Sequence, residues 1–210
     1  MGTIVNIFTK ERVDNMKQDI ERLRFQRKYD DMPNVSETLL TMFSGEEYPV
    51  PIIGIVKKLG FKVYDMDLKD ENLSGMIAID EKWIPKFGTD KVIIVNQQDS
   101  GEHKRFTIAH ELAHYLFDAD PDPNKAYYNT YRTDETQWSE AAIDKEDREN
   151  IANYFAANIL MPSLVFRKRY NESVLINGSD AIERITKDLS EFFGVPETSV
   201  RIRYKELGIA

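Results

Sequence analysis

The run Phe106-Thr107-Ile108-Ala109-His110-Glu111-Leu112-Ala113-His114-Tyr115-Leu116-Phe117 constrains the fold more than any other stretch of the sequence. Wound into a helix it is apolar nearly all round, through Phe106, Ile108, Ala109, Leu112, Ala113 and Leu116, so it belongs in the interior. Yet it also carries two histidines and a glutamate. Polar groups on a buried helix are costly unless something binds them. The pattern is HExxH, and a chance occurrence in a chain of this length is expected in under about one protein in a hundred.

A spacing of four at 3.6 residues per turn puts both imidazoles on one face, one turn apart, where they can share a single metal ion. Glu111, rotated by about 100° from His110, can reach a metal-activated water without ligating the metal itself. The chain has no cysteine and only one further histidine, His103. Any transition-metal site must therefore be built from His, Asp and Glu. His103 precedes the motif by several residues and reads as a capping or surface histidine.

A catalytic zinc takes three protein ligands and keeps one open position. The extension HExxHxxGxxH is missing: Phe117 stands where the glycine would be and Asp120 where the third histidine would be. A glutamate on a second helix is the stronger candidate. In Glu149-Asn150-Ile151-Ala152-Asn153-Tyr154-Phe155-Ala156-Ala157, Glu149 and Asn153 share one face at i,i+4, and the alanines permit close packing against the first helix. Asn153 could then hold a ligand imidazole by a hydrogen bond. Glu146, Asp118 and Asp120 remain rivals to Glu149 on spacing alone.

The periodicity predicts helices over Asn6–Tyr29, Ser36–Phe43, Ile52–Leu59, Phe106 onward, Glu146–Met161, Ser179–Phe193 and Glu197–Leu207. Strands are expected at Phe61–Met66, Met76–Asp80 and Lys91–Asn96, with turns at Asn72–Gly75 and Pro85–Asp90. Asp118–Lys145 reads as turn-rich and irregular. Helices, then a small sheet, then helices is an α+β order.

No apolar run of about 18 residues exists, and the N-terminus lacks the organisation of a signal peptide, so a cytoplasmic protein with no membrane partner is expected. The net charge of −8 speaks against a broad nucleic-acid surface.

Arg105-Phe106-Thr107-Ile108-Ala109-His110-Glu111-Leu112-Ala113-His114, followed by Glu149 to Pro162, resembles the paired motifs of the ImmA/IrrE-type metallo-endopeptidases, RFTxAHELxH and ExxANxFAAxLLMP. Tyr131-Arg132 is similar to an aromatic-arginine pair that family often has between them. The resemblance spans about Pro49 to Pro162, with Ile151 and Asn158-Ile159 as departures. It implies a gluzincin-type site holding one Zn2+, with His110, His114 and Glu149 as ligands and Glu111 as base.

It also implies an α+β fold with a zincin-like core at 49–165, in which a three-stranded sheet packs on the active-site helices. A helical extension would precede the core at 1–48, and a helical tail at 166–210 would pack on or next to it. The implied function is zinc-dependent cleavage of a cytosolic regulatory protein, such as a helix-turn-helix repressor of a mobile element or stress response.

A peptidase also needs a group to stabilise the oxyanion, and Tyr127, Tyr128, Tyr131 and Arg132 are candidates for that or for substrate contact. Between Asp118 and Glu149 ten acidic side chains face four basic ones, which accounts for −6 of the net charge. If this segment borders the cleft, it favours a basic substrate surface. Ile182–Leu207 faintly resembles a helix-turn-helix, but seven acids accompany eight bases from Ser163 onward, so direct DNA binding is not expected. The alternatives are a regulatory protein- or DNA-binding module that retains the zinc site, and a peptidase toxin controlled by a partner.

Overall fold

A computed structural model describes residues 32–43, 47–70, 72–120, 122, 124–132 and 143–209; the predicted helix over Asn6–Tyr29 lies outside them. Two helices come first, α1 (Met32–Phe43) and α2 (Ile52–Lys58). Strands β1 (Lys62–Met66) and β2 (Leu73–Ile79) follow, then a 3-10 turn (Glu81–Trp83), the short α3 (Ile84–Phe87) and β3 (Lys91–Asn96). Next are α4 (Gly101–Phe117), β4 (Tyr127–Arg132) and α5 (Ile143–Leu160). The chain ends in α6 (Ser163–Asn177), α7 (Ile182–Phe193) and α8 (Glu197–Glu206). No helix among the described residues is long and apolar enough to cross a membrane.

The α+β class is as expected, but the sheet has four strands, in the order β1-β3-β2-β4, rather than three. β1 runs parallel to β3, while β2 is antiparallel to both β3 and β4. The additional strand falls within the segment expected to be irregular. Its alternation shows why it is a strand: Tyr127, Asn129 and Tyr131 are partly buried, whereas Tyr128 and Thr130 are exposed. That is the period-2 pattern of an edge strand with one covered face.

A second correction concerns Ser74 and Gly75, expected in a turn but placed inside β2 beside an irregularity in its pairing with β4. Gly75 is where α4 comes closest to the sheet. A Cβ there would lie 2.5 Å from Thr107 Cγ2 and 2.9 Å from the Ile94 carbonyl oxygen. The glycine thus lets the metal-motif helix settle against β2.

Ser100 caps α4, its hydroxyl accepting the His103 N–H at 3.2 Å, so the helix begins five residues ahead of the expected Phe106. Ala109 and Ala113 of α4 and Ala152 and Ala156 of α5 are all buried, which brings the two helices close together.

The helices beyond Pro162 belong to the same core. Phe166, Ile185, Leu189, Phe193, Val200 and Tyr204 are buried in one cluster with Val35, Ile77, Leu112 and Phe155. Two arginines fix them there. Arg105 of α4 donates through Nη2 to the Val50 carbonyl at 2.7 Å and through Nε to the Gly194 carbonyl at 2.9 Å. Arg203, only 1% exposed, donates to the Met161 carbonyl, to Asn158 Oδ1 at 3.0 Å and to Glu206 Oε2 at 2.8 Å. Asn158, one of the departures from the family motif, is thus the group that receives α8.

Gly75→Ala should destabilise the protein by about 1–3 kcal/mol, the range for forcing atoms into a packed interior, as measured by urea unfolding. A loss below about 0.5 kcal/mol would mean that α4 can lift from the sheet.

Candidate metal centre

Three elements build the site. α4 supplies His110, Glu111 and His114, each at most 1% exposed; α5 supplies Glu149 and Asn153; β4 covers them. His110 Nε2 lies 3.0 Å from His114 Nε2 and 3.0 Å from Glu149 Oε2, and His114 Nε2 lies 3.5 Å from Glu149 Oε1.

The outer ring nitrogens have partners of their own. His110 Nδ1 is 2.9 Å from Asn153 Oδ1, and His114 Nδ1 is 2.5 Å from Asp118 Oδ2. Because these partners accept, each Nδ1 carries the donating hydrogen, an assignment made from the hydrogen-bond network. Both Nε2 lone pairs then point at one place, which the Glu149 carboxylate also faces. Three such atoms converging in a buried space suit a cation among them, a metal ion or a shared proton.

The spacing fits such an ion. Bonds of about 2.0–2.1 Å at tetrahedral angles need donor atoms about 3.3 Å apart, and the observed separations of 3.0, 3.0 and 3.5 Å bracket that value. Imidazole and carboxylate donors without a thiolate suit a divalent first-row metal ion. No other group of three potential ligands clusters in this way among the described residues.

The electrostatics divide the ionisable groups by their neighbours. Burial pushes His110 toward its neutral form. His114 is buried too, but its hydrogen bonds to Asp118 and Glu149 outweigh that and raise it to about 9. Glu149 pays the same desolvation cost, yet its close contacts with both imidazoles hold its carboxyl well below the usual carboxylate range. Glu111 has no such partner, and burial pushes it up to about 8. Both of its oxygens are buried without a well-formed hydrogen bond, even though the Asn129 amide and the Tyr131 backbone N–H lie close enough to oppose the shift.

A family model described as the IrrE N-terminal-like domain of peptidase M78 matches residues 56–205. The chain belongs to this peptidase family. The ImmA/IrrE resemblance drawn from the motifs is therefore shown, and the match runs on through α6, α7 and most of α8, beyond the Pro162 where the motifs stop. No curated protein shows a significant match to the chain.

For this M78 site the structure brings together His110, Glu111, His114, Glu149 and Asn153. Asp118, a rival ligand by sequence, instead supports the outer nitrogen of His114. Asp120 is turned away, paired with Lys125 at 2.7 Å. The side chains of Glu146 and Arg132 lie outside the described residues.

Tyr131 stacks on His110 with ring centroids 4.0 Å apart. Tyr127 stands four residues away on the same strand face, near the Asp118 and Glu111 carboxylates. Tyr128 is on the opposite face of the sheet, bonded to Asp80. His103 sits in the first turn of α4, outside the His110, His114 and Glu149 cluster, its ring centroid 6.4 Å from that of Tyr131. Asn129 was missed by sequence reasoning. Once Tyr127-Tyr128-Asn129-Thr130-Tyr131 is seen as a strand, its alternation alone puts Asn129 between the two inward tyrosines.

Removing the support of either imidazole should weaken zinc binding without unfolding the protein. Asp118→Asn and Asn153→Ala are each expected to lower zinc affinity about 10–100-fold in competition titration against a chelator. Unchanged affinity in both variants would refute the supporting roles.

Proposed function

We propose that this M78 peptidase is a zinc-dependent endopeptidase with a zincin-like core, in which His110, His114 and Glu149 hold one zinc ion and Glu111 is the base. The observation that carries the reading is the convergence of both Nε2 lone pairs and the Glu149 carboxylate on one buried point, with Glu111 beside it and unpaired. When bound, zinc supplies a Lewis acid that polarises the scissile carbonyl and lowers the pKa of the attacking water toward about 7.

The chain's own groups do the rest. Glu111, adjacent in sequence to His110 but on a neighbouring face of α4, accepts the proton of the attacking water and delivers a proton to the departing amine. Burial, which pushes its pKa up to about 8, makes it a stronger base than an ordinary carboxylate and suits a group that must both take and give a proton near neutral pH. Asn153 and Asp118 fix the two imidazole planes so that each Nε2 stays aimed at the ion.

The carbonyl oxygen gains negative charge as the water attacks, and a neutral hydroxyl can donate to it. Tyr131 is held protonated, pushed up to about 12 by burial and the Glu149 and Glu111 carboxylates; Tyr127 is pushed up further, by burial and Asp118. Of the four candidates named from sequence, these two lie on the covered face of β4 beside the site. Tyr131, already against the His110 ring, is the better placed.

The substrate we infer is a cytosolic regulatory protein, such as a helix-turn-helix repressor, with a basic surface complementary to the acidic stretch between the two motifs. The charge balance of −6 between Asp118 and Glu149 supports this choice. The DNA-binding alternative is weakened by where the basic residues of the C-terminal helices are engaged. Arg201 pairs with Glu183, Arg169 with Asp188, and Arg203 is buried.

Wild-type protein should carry one zinc per chain and cleave the product of the neighbouring gene. Glu149→Ala should lose the metal, whereas Glu111→Gln should keep it and cut the cleavage rate about 10²–10⁴-fold, the usual worth of a general base. Stoichiometric zinc in Glu149→Ala would reject the ligand set, and undiminished cleavage by Glu111→Gln would reject the mechanism.

A further inference from the structure

Glu111 and Asn129 are each incomplete on their own. Both carboxylate oxygens of Glu111 and the Nδ2 of Asn129 are buried without a well-formed hydrogen bond. Buried polar atoms are rarely left in that condition, and an unpaired donor beside an unpaired acceptor is the arrangement most easily completed. Asn129 pairs with Ile77 across β2, as Tyr131 pairs with Gly75, so both are on the sheet face against which α4 packs. Thr107 of α4, one turn before Glu111, meets that face at Gly75. The Asn129 amide and the Tyr131 backbone N–H accordingly lie against the Glu111 carboxylate.

We propose that Asn129 is a positioning residue for Glu111: its amide N–H and the Tyr131 backbone N–H form a two-donor cradle that steadies the charged carboxylate where it exchanges its proton. The proposal rests on Glu111 being the base. The cradle belongs to the edge strand and the base to the metal-motif helix. The Asn129 amide nitrogen makes no hydrogen bond to the ligand imidazoles or to Glu149, so its loss should leave metal binding intact. A base that swings freely spends less time aligned with the water, which lowers turnover rather than substrate affinity.

The test combines a double-mutant cycle with kinetics on the full, zinc-loaded chain. Asn129→Leu keeps the side-chain size and removes the donor. It is expected to lower the melting temperature in the parent, and by less than half as much in a Glu111→Leu background; equal shifts in the two backgrounds would overturn the contact. In cleavage of the neighbouring gene's product, Asn129→Leu should reduce kcat at least tenfold while KM stays within twofold and zinc remains at one per chain.

A raised KM with unchanged kcat would make Asn129 a substrate contact instead, and loss of zinc would make it a support of the metal centre; either overturns the proposal. If wild type and Glu111→Gln cleave alike, the assignment of the base fails. The melting cycle still decides separately whether Asn129 holds Glu111.

Discussion

Everything near the site follows from burying a helix that carries two imidazoles and a carboxyl. α4 lies between the sheet and α5, and His110, Glu111 and His114 are shielded from water within it. Water cannot satisfy these groups, so neighbouring elements must do so. α5 supplies Asn153 and Glu149, and the residue that ends α4, Asp118, turns back to His114. The inner nitrogens of the two histidines are left facing each other at 3.0 Å, a contact that a proton or a metal ion between them completes. Stability and metal binding are thus one problem in this interior, since what completes the hydrogen bonding is also what the chemistry needs.

The remaining architecture holds those partners at the right distance. Alanines on α4 and α5 let two helix backbones approach, and Gly75 lets α4 approach the sheet; side chains of ordinary size would separate the ligand sets. The C-terminal helices act at a distance from the chemistry but on the same helices. Arg203 joins α8 to the end of α5 through Asn158 and the Met161 carbonyl, and Arg105 joins the Gly194 corner and Val50 to α4. Both guanidiniums bond backbone carbonyls that would otherwise be capped by water, and each fixes an orientation as well as a contact. The tail is part of the scaffold that sets the angle between the two metal-motif helices.

The helices and the candidate metal ligands were legible because their signals are local and periodic. His110 and His114 declare themselves by spacing, and Glu149 and Asn153 by sharing a helical face; burial then follows from apolar neighbours at 3.6-residue intervals. β4 was hidden because an edge strand of six residues carries only three inward positions, and here these are two tyrosines and an asparagine in an acidic, proline-containing run. Nothing in that composition distinguishes a strand from a loop until a partner strand is known. α6 was missed for a related reason. Leu164, Leu175 and Ile176 are among its most exposed side chains, while Phe166 and Ser173 are the buried ones, so no apolar stripe marks its inner face. Periodicity reads a helix only when hydrophobicity and burial coincide.

The two glutamates of the site show how far environment outweighs residue type. Glu149, partly open to solvent, faces both imidazoles and remains a carboxylate to far lower pH than usual. Glu111, fully buried, has only the imperfect approach of Asn129 and Tyr131, and its acidity moves the opposite way. A ligand must stay charged to hold a cation, whereas a base must release its proton as readily as it takes one. Exchanging the two environments would give a metal ligand that protonates near neutrality and a base too weak to accept a proton. The division of labour therefore lies in which neighbour each carboxylate meets: imidazoles across the α4–α5 contact for one, and the covered face of an edge strand for the other.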